Sequence, residues 1–129
     1  MRIDGLSTIA TRFDGMLIDQ FGVIHHGQEL YPGTLRVLTE LKALGVPVAV
    51  MTNSGKRAAA NVERLTRMGV PRDCFVDAVS SGEVAYGSLT VKRALLIGKD
   101  GEDYGFDGIE FVSDPGHAEV ILILGSNAP

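Results

Sequence analysis

Short apolar runs separated by helix-length amphipathic segments admit few folds. Gly15-Met-Leu-Ile-Asp19 is such a run, closed by a carboxylate, and reads as a buried strand with Asp19 at its C-terminal tip. A glycine-containing loop follows through Phe21-Gly22-Val23-Ile24-His25-His26-Gly27 to Tyr31-Pro32-Gly33. From Thr34 to Leu44, Leu35, Val37, Leu38, Leu41 and Leu44 make one apolar stripe, with Arg36, Glu40 and Lys42 off it. Thr34 is placed to cap that helix and Gly45 to end it. Val46-Pro-Val-Ala-Val-Met51 then runs apolar without alternation, the pattern of a strand covered on both faces.

The pattern repeats downstream. A second helix is expected to open at Thr52-Asn53-Ser54-Gly55 and run to Met68, with Ala58, Val62, Leu65 and Met68 on one face. Phe75 to Val79 reads as a strand. Ser80-Ser-Gly-Glu83 has capping-box spacing and begins a third helix ending near Leu89. Further strands are expected at Ala94–Ile97, Ile109–Val112 and Val120–Leu124. Strand alternating with helix at these lengths implies parallel βαβ units with right-handed crossovers. The fold class is therefore α/β, a three-layer Rossmann-like arrangement on a parallel sheet. Met1 to Arg12 shows no periodicity.

Composition narrows the function. With 129 residues, 45% hydrophobic and 22% charged, the chain can bury a core and is not of disordered type. A net charge of −4 with scattered basic residues argues against nucleic acid as a partner. No apolar run approaches the ~20 residues of a membrane span, and no signal-peptide pattern precedes the first strand. The single cysteine, Cys74, reads as a small buried hydrophobe and suits a reducing cytoplasm.

In open α/β sheets ligands bind outside the carboxyl ends of the strands. Asp19 stands at one such end and Thr52-Asn53-Ser54 at another, ahead of a helix N-terminus. A carboxylate, a hydroxyl and backbone N–H groups together suit a phosphate. Each also has a plain structural reading: Asp19 as a turn former, Thr52-Asn53-Ser54 as an N-cap. His25 and His26 read as solvated loop residues, and Lys56 and Arg57 as a solvated face, with an anion as the alternative.

Asp19-Gln20-Phe21-Gly22-Val23 after an apolar strand, then Pro32-Gly33, resembles the first motif of the haloacid dehalogenase-like (HAD) superfamily. Val48-Ala-Val-Met-Thr52-Asn53-Ser54 resembles its second. The continuation through Leu65, Gly69 and Ser81 is similar to class IIA, in which a large cap follows the second motif. That class includes sugar-phosphate and nitrophenyl-phosphate phosphatases. The resemblance spans Met16 to Leu124. It implies an HAD core over residues 1–89, with 90–129 the start of an inserted α/β cap or the remainder of the core, in a chain expected to continue.

The resemblance further implies an HAD-type hydrolase, a Mg²⁺-dependent phosphatase of small phosphorylated metabolites. Asp19 would be nucleophile and metal ligand, and the backbone carbonyl of Phe21 a second ligand. Thr52, Asn53 and the Gly22 amide would hold the phosphoryl group. Family phosphatases carry a second Asp two residues after the nucleophile, where this chain has Phe21. That departure opens two alternatives: an impaired HAD scaffold binding a phosphorylated ligand or a protein, or a metal-independent dehalogenase-like hydrolase. The family's third motif, a Lys, and its acidic fourth would lie beyond Pro129, so these 129 residues alone are expected to be inactive. Homo-oligomerisation is left open.

Asp14-Gly15 imitates the first motif, but no apolar strand leads into it. A receiver domain would need an acidic pair after the first strand and a phosphorylated Asp at the end of the third, and neither is present. No G-x-G-x-x-G follows a strand, and Gly98-Lys99-Asp100 lacks the rest of a Walker motif.

Overall fold

A computed structural model describes residues 5–125. The regular elements in chain order are β1 (Met16–Asp19), α1 (Thr34–Ala43), β2 (Val48–Thr52), α2 (Ala58–Arg67), β3 (Asp77–Ser80), α3 (Ser81–Ser88), β4 (Arg93–Ile97), β5 (Glu110–Val112) and β6 (Val120–Ile123). Short 3₁₀ turns occupy Leu6–Thr8, Ala10–Arg12, Arg72–Cys74 and Pro115–His117. Each strand and helix expected from periodicity is present. The boundaries shift by a few residues, most at α2. No helix among the described residues is long and apolar enough to cross a membrane.

The chain divides into two compact units. The first comprises the residues up to Thr52 together with Val62–Val79; the second comprises Asn53–Asn61 and the residues from Ser80 onward.

In the first unit the sheet order is β1-β2-β3. β1 and β2 run parallel, with Met16 opposite Val48 and Asp19 opposite Met51. The β1–β2 crossover carries α1, as parallel pairing requires. Ala10, Ile24, Leu38, Leu41, Val48, Val50, Leu65, Val70 and Phe75 form the core on one side of this sheet. Burying each large aliphatic side chain there contributes about 1.5–3 kcal/mol. Cys74 is a free thiol within this cluster, as expected of a small hydrophobe.

β2 was expected to be covered on both faces, and it is not. Val48, Val50 and Thr52 are buried, whereas Met51 is 51% exposed. Leu17 on β1, at 70%, and Val79 on β3, at 48%, are likewise open. Alternation is hidden in the sequence because both faces are apolar, and among the described residues only one has its cover.

α1 ends as its sequence suggests: Gly45 adopts a left-handed conformation (φ 70°), which a side chain would disfavour. Its start differs from expectation. Gly33 takes the N-cap position, and the Thr34 hydroxyl donates to the Ile24 carbonyl (3.1 Å) instead of capping.

In the second unit β5-β4-β6 form an all-parallel sheet. Its core holds Ala94, Tyr104, Phe106 and Leu122, with Tyr86 of α3 packed edge-on against Phe106 (centroids 5.4 Å apart). Ile121 and Ile123 project from the other side of the sheet, and Ile123 is 74% exposed.

Candidate functional site

β1 delivers Asp19 to the C-terminal end of the parallel sheet, and β2 delivers Thr52 to the same end. Because Asp19 lies opposite Met51, Thr52 is the next residue beyond the paired position. The Asp19 side is exposed and Thr52 is buried. Asp19 Oδ1 accepts the backbone N–H of Gln20 (2.7 Å), which fixes the carboxylate against its own turn. A cavity of about 650 Å³ opens beside Asp19, lined largely by apolar side chains including Leu17, Val23, Tyr31 and Val37, with Arg36 among them. Asp14, the imitation of the motif, lies before β1 rather than at its end.

The loop after β1 is built from its own main chain. The Gln20 carbonyl accepts from Ile24 N–H (2.9 Å) and His25 N–H (3.2 Å), while Gly22 N–H donates to the His25 carbonyl (2.8 Å). Gly22 has φ 85°, in the left-handed region that favours glycine. Its amide, expected to face a phosphate, is thus engaged inside the loop. Phe21, whose backbone carbonyl was expected to be a metal ligand, exposes 61% of its surface and lies edge-on to His25.

His25 is not a solvated loop residue. It is wholly buried, and Nδ1 accepts Gly27 N–H at 2.9 Å. That bond places the ring proton on Nε2, which finds no partner among the described residues. Burial, then the charges of Arg64 and His26, holds its pKa below the ordinary value of 6.5. Arg64 also donates to the Gly27 carbonyl (2.8 Å), pinning the loop from α2. His26 is exposed, as expected.

Asn53 follows Thr52 directly and begins a non-helical segment, because α2 starts at Ala58 rather than near Asn53. The helix start is capped from elsewhere in the chain. Glu83 of α3 accepts Ala58 N–H at 2.9 Å and two of the three Arg57 guanidinium nitrogens, Nε at 2.7 Å and Nη2 at 2.8 Å. A carboxylate at a helix N-terminus satisfies a free N–H and opposes the dipole. The two-point pairing with Arg57, then the Ala58 N–H, draws the Glu83 pKa down to about 2. Arg57 also lies 3.7 Å over the Tyr86 ring, and Lys56 pairs with Glu102. Neither cation is therefore a simple solvated face.

Ser80 forms one half of the expected capping box, accepting Glu83 N–H at 3.0 Å. The other half is absent, since the Glu83 carboxylate is spent on Arg57 and Ala58. Asn61 and His25 were not foreseen as structural polar groups, and Glu83 was foreseen only as a local cap rather than as the partner of Arg57 and Ala58. Only the Ser80-x-x-Glu83 spacing hinted at one of them.

The family model described as haloacid dehalogenase-like hydrolase matches residues 16–111. Among solved structures, a haloacid dehalogenase-like hydrolase from Brucella suis 1330 superposes with a TM-score of 0.78 at 25% identity, over 90% of this chain and 44% of that one. A 4-nitrophenylphosphatase from Thermotoga maritima gives 0.53 at 26% identity, over 68% and 35%. A hypothetical protein of Pyrococcus horikoshii OT3 gives 0.51 at 24%, over 69% and 36%, and shares the fold. The chain thus spans less than half the length of each. No curated protein matches it.

Proposed function

Because the chain belongs to the haloacid dehalogenase-like hydrolase family, we propose that the whole protein is a phosphatase of small phosphorylated metabolites, with Asp19 as nucleophile. The observation that carries this reading is the pairing of an exposed carboxylate at the end of β1 with a hydroxyl at the end of the adjacent parallel β2. The resemblance to a 4-nitrophenylphosphatase supports it.

In this reading an Asp19 oxygen attacks phosphorus, the phosphorus–oxygen ester bond breaks, and the electron pair leaves on the alcohol oxygen. Water then attacks the aspartyl-phosphate, releasing phosphate and restoring the carboxylate. Thr52 donates its hydroxyl to the phosphoryl group, and Asn53 lies next to it in the chain. The Gly22 amide joins them only if it leaves the His25 carbonyl.

Mg²⁺ is the cofactor this chemistry implies. No group of three His, Cys, Asp or Glu side chains able to hold a metal occurs among the described residues. Asp19 and the Phe21 carbonyl would be among its ligands, oxygen donors of the kind that suit Mg²⁺. When bound, it would neutralise charge on the phosphoryl oxygens. The buried free thiol of Cys74 is in keeping with a cytoplasmic setting.

Asp19→Asn tests the proposal. Hydrolysis of 4-nitrophenyl phosphate by the whole protein with Mg²⁺ should fall by about 10³-fold or more. Undiminished turnover would remove Asp19 from the chemistry. Phe21 favours a second reading, a scaffold that binds a phosphorylated ligand without hydrolysing it, and binding without turnover would support that. Halide release from a haloacid without Mg²⁺ would instead indicate a dehalogenase-like hydrolase.

A further inference from the structure

The segment from Asn53 to Arg57 lies between β2 and α2, and the N-terminus of α3 grips it at several points. Gly82 N–H donates to the Ser54 carbonyl (3.0 Å) and the Ser80 hydroxyl donates to the Lys56 carbonyl (2.6 Å). Glu83 holds the Arg57 side chain and Ala58 N–H, as described above. Asn61 adds side-chain bonds to the Lys56 and Arg57 carbonyls, at 3.3 and 3.0 Å. Ser80 and Asn61 are both buried.

The approach is closest at Gly82. A Cβ there would lie 2.0 Å from the Gly55 carbonyl oxygen and 2.7 Å from that of Lys56. The backbone of the segment therefore passes directly over Gly82, with no room for a side chain. A peptide unit is planar and trans, so fixing one carbonyl also fixes the direction of the next N–H. Holding the Ser54 carbonyl thereby sets where Gly55 N–H points, whereas Arg57 N–H is itself engaged by the Tyr104 carbonyl (3.3 Å).

We infer that Ser80, Gly82 and Glu83 are positioning residues for the phosphate-binding segment that begins at Asn53. This rests on the phosphatase reading, and it explains why Ser-x-Gly-Glu sits at a helix start whose cap box is only half used. None of the three needs to touch the substrate. They act by holding the backbone after Asn53 in one conformation, so that donors to an anion are oriented before it arrives.

The test is titration of the protein with inorganic phosphate in Mg²⁺ buffer, followed through backbone amide signals, for the wild type and two variants. Glu83→Gln keeps the side-chain size and an acceptor for Ala58 N–H but loses the charge that holds Arg57. Leu122→Ala disturbs the core of the same unit while removing none of these hydrogen bonds and serves as a destabilised control. In the wild type, phosphate should shift the amides of Asn53–Gly55. Glu83→Gln should weaken the phosphate dissociation constant about tenfold and speed amide exchange at residues 54–58. Leu122→Ala should lower the melting temperature more yet keep the wild-type dissociation constant. Unchanged affinity in Glu83→Gln overturns the inference alone, as does equal weakening in Leu122→Ala. If phosphate moves none of the wild-type amides at 53–55, the phosphatase reading fails and the positioning role falls with it.

Discussion

The loop after β1, in the first unit, and the segment after β2, in the second, are held by different means. The first is closed mainly by its own backbone: Gln20, Gly22, Ile24 and His25 bond to one another within a few residues, with Arg64 adding one bond to the Gly27 carbonyl. Its one buried ring, His25, serves Gly27 two positions away. The second has local bonds from Ser54 and Asn61, but it is also held from outside, its Ser54 and Lys56 carbonyls by Gly82 and Ser80 and its cation by Glu83, all more than twenty positions along the chain. Local closure tolerates change elsewhere in the molecule, whereas remote closure makes the segment depend on whether α3 is in place.

The largest expected effect lies in the first region. Phe21→Asp supplies the carboxylate that family phosphatases carry two residues after the nucleophile, and general acid–base catalysis contributes ~10²–10⁴-fold. The whole protein should therefore gain 4-nitrophenyl phosphate turnover on that scale. No gain would mean that the loop conformation, not the residue, limits the chemistry.

In the second region, Gly82→Ala must push the segment away from α3, because its Cβ would meet a carbonyl oxygen. A loss of roughly 3 kcal/mol in urea unfolding is expected. A loss under about 1 kcal/mol would show that the two elements part easily and that remote closure is weak.

His25→Ala removes a wholly buried ring and the acceptor for Gly27 N–H. It should cost about 2–3 kcal/mol, somewhat less than a comparable apolar truncation because the orphaned Nε2 disappears with the ring. The phosphate-induced shifts at Asn53–Gly55 should survive, which would separate the two regions experimentally.

The smallest effect is a pH dependence confined to the second region. Glu83 has a folded pKa lowered from 4.5 to about 2, mainly by Arg57. A depressed carboxylate adds stability that is complete above the unfolded pKa and is lost as pH falls through the folded one. Wild-type stability should thus decline between about pH 4.5 and 2 more steeply than that of Glu83→Gln. Both side chains keep part of their surface in water, with 26% of Arg57 and 36% of Glu83 accessible, so solvent screening keeps the difference small. Identical profiles would mean that the ion pair contributes nothing to folding.

Much of the architecture was legible in the chain. Apolar runs at strand length and stripes at helix spacing reflect burial along one element, a property of neighbouring residues, and these located β1, α1, β2, α2, β3 and α3 within a few residues. The placement of Asp19 and Thr52 at strand ends was equally local, since an apolar run that stops at a polar residue marks where a strand leaves the core. Glycine at position 45 announced its turn for the same reason.

What the linear pattern did not hold was which distant groups would meet. His25 read as solvated because nothing in its sequence neighbours tells that its ring would be wholly buried. The late start of α2 and the capture of its first N–H by Glu83 depend on α3 arriving beside it, which the Ser80-x-x-Glu83 spacing misassigned to a local cap. Periodicity records the water-facing and core-facing sides of each element. The partner for a buried donor, acceptor or charge is selected only when elements far apart in sequence pack, because desolvation then forces every polar group to find the nearest complement.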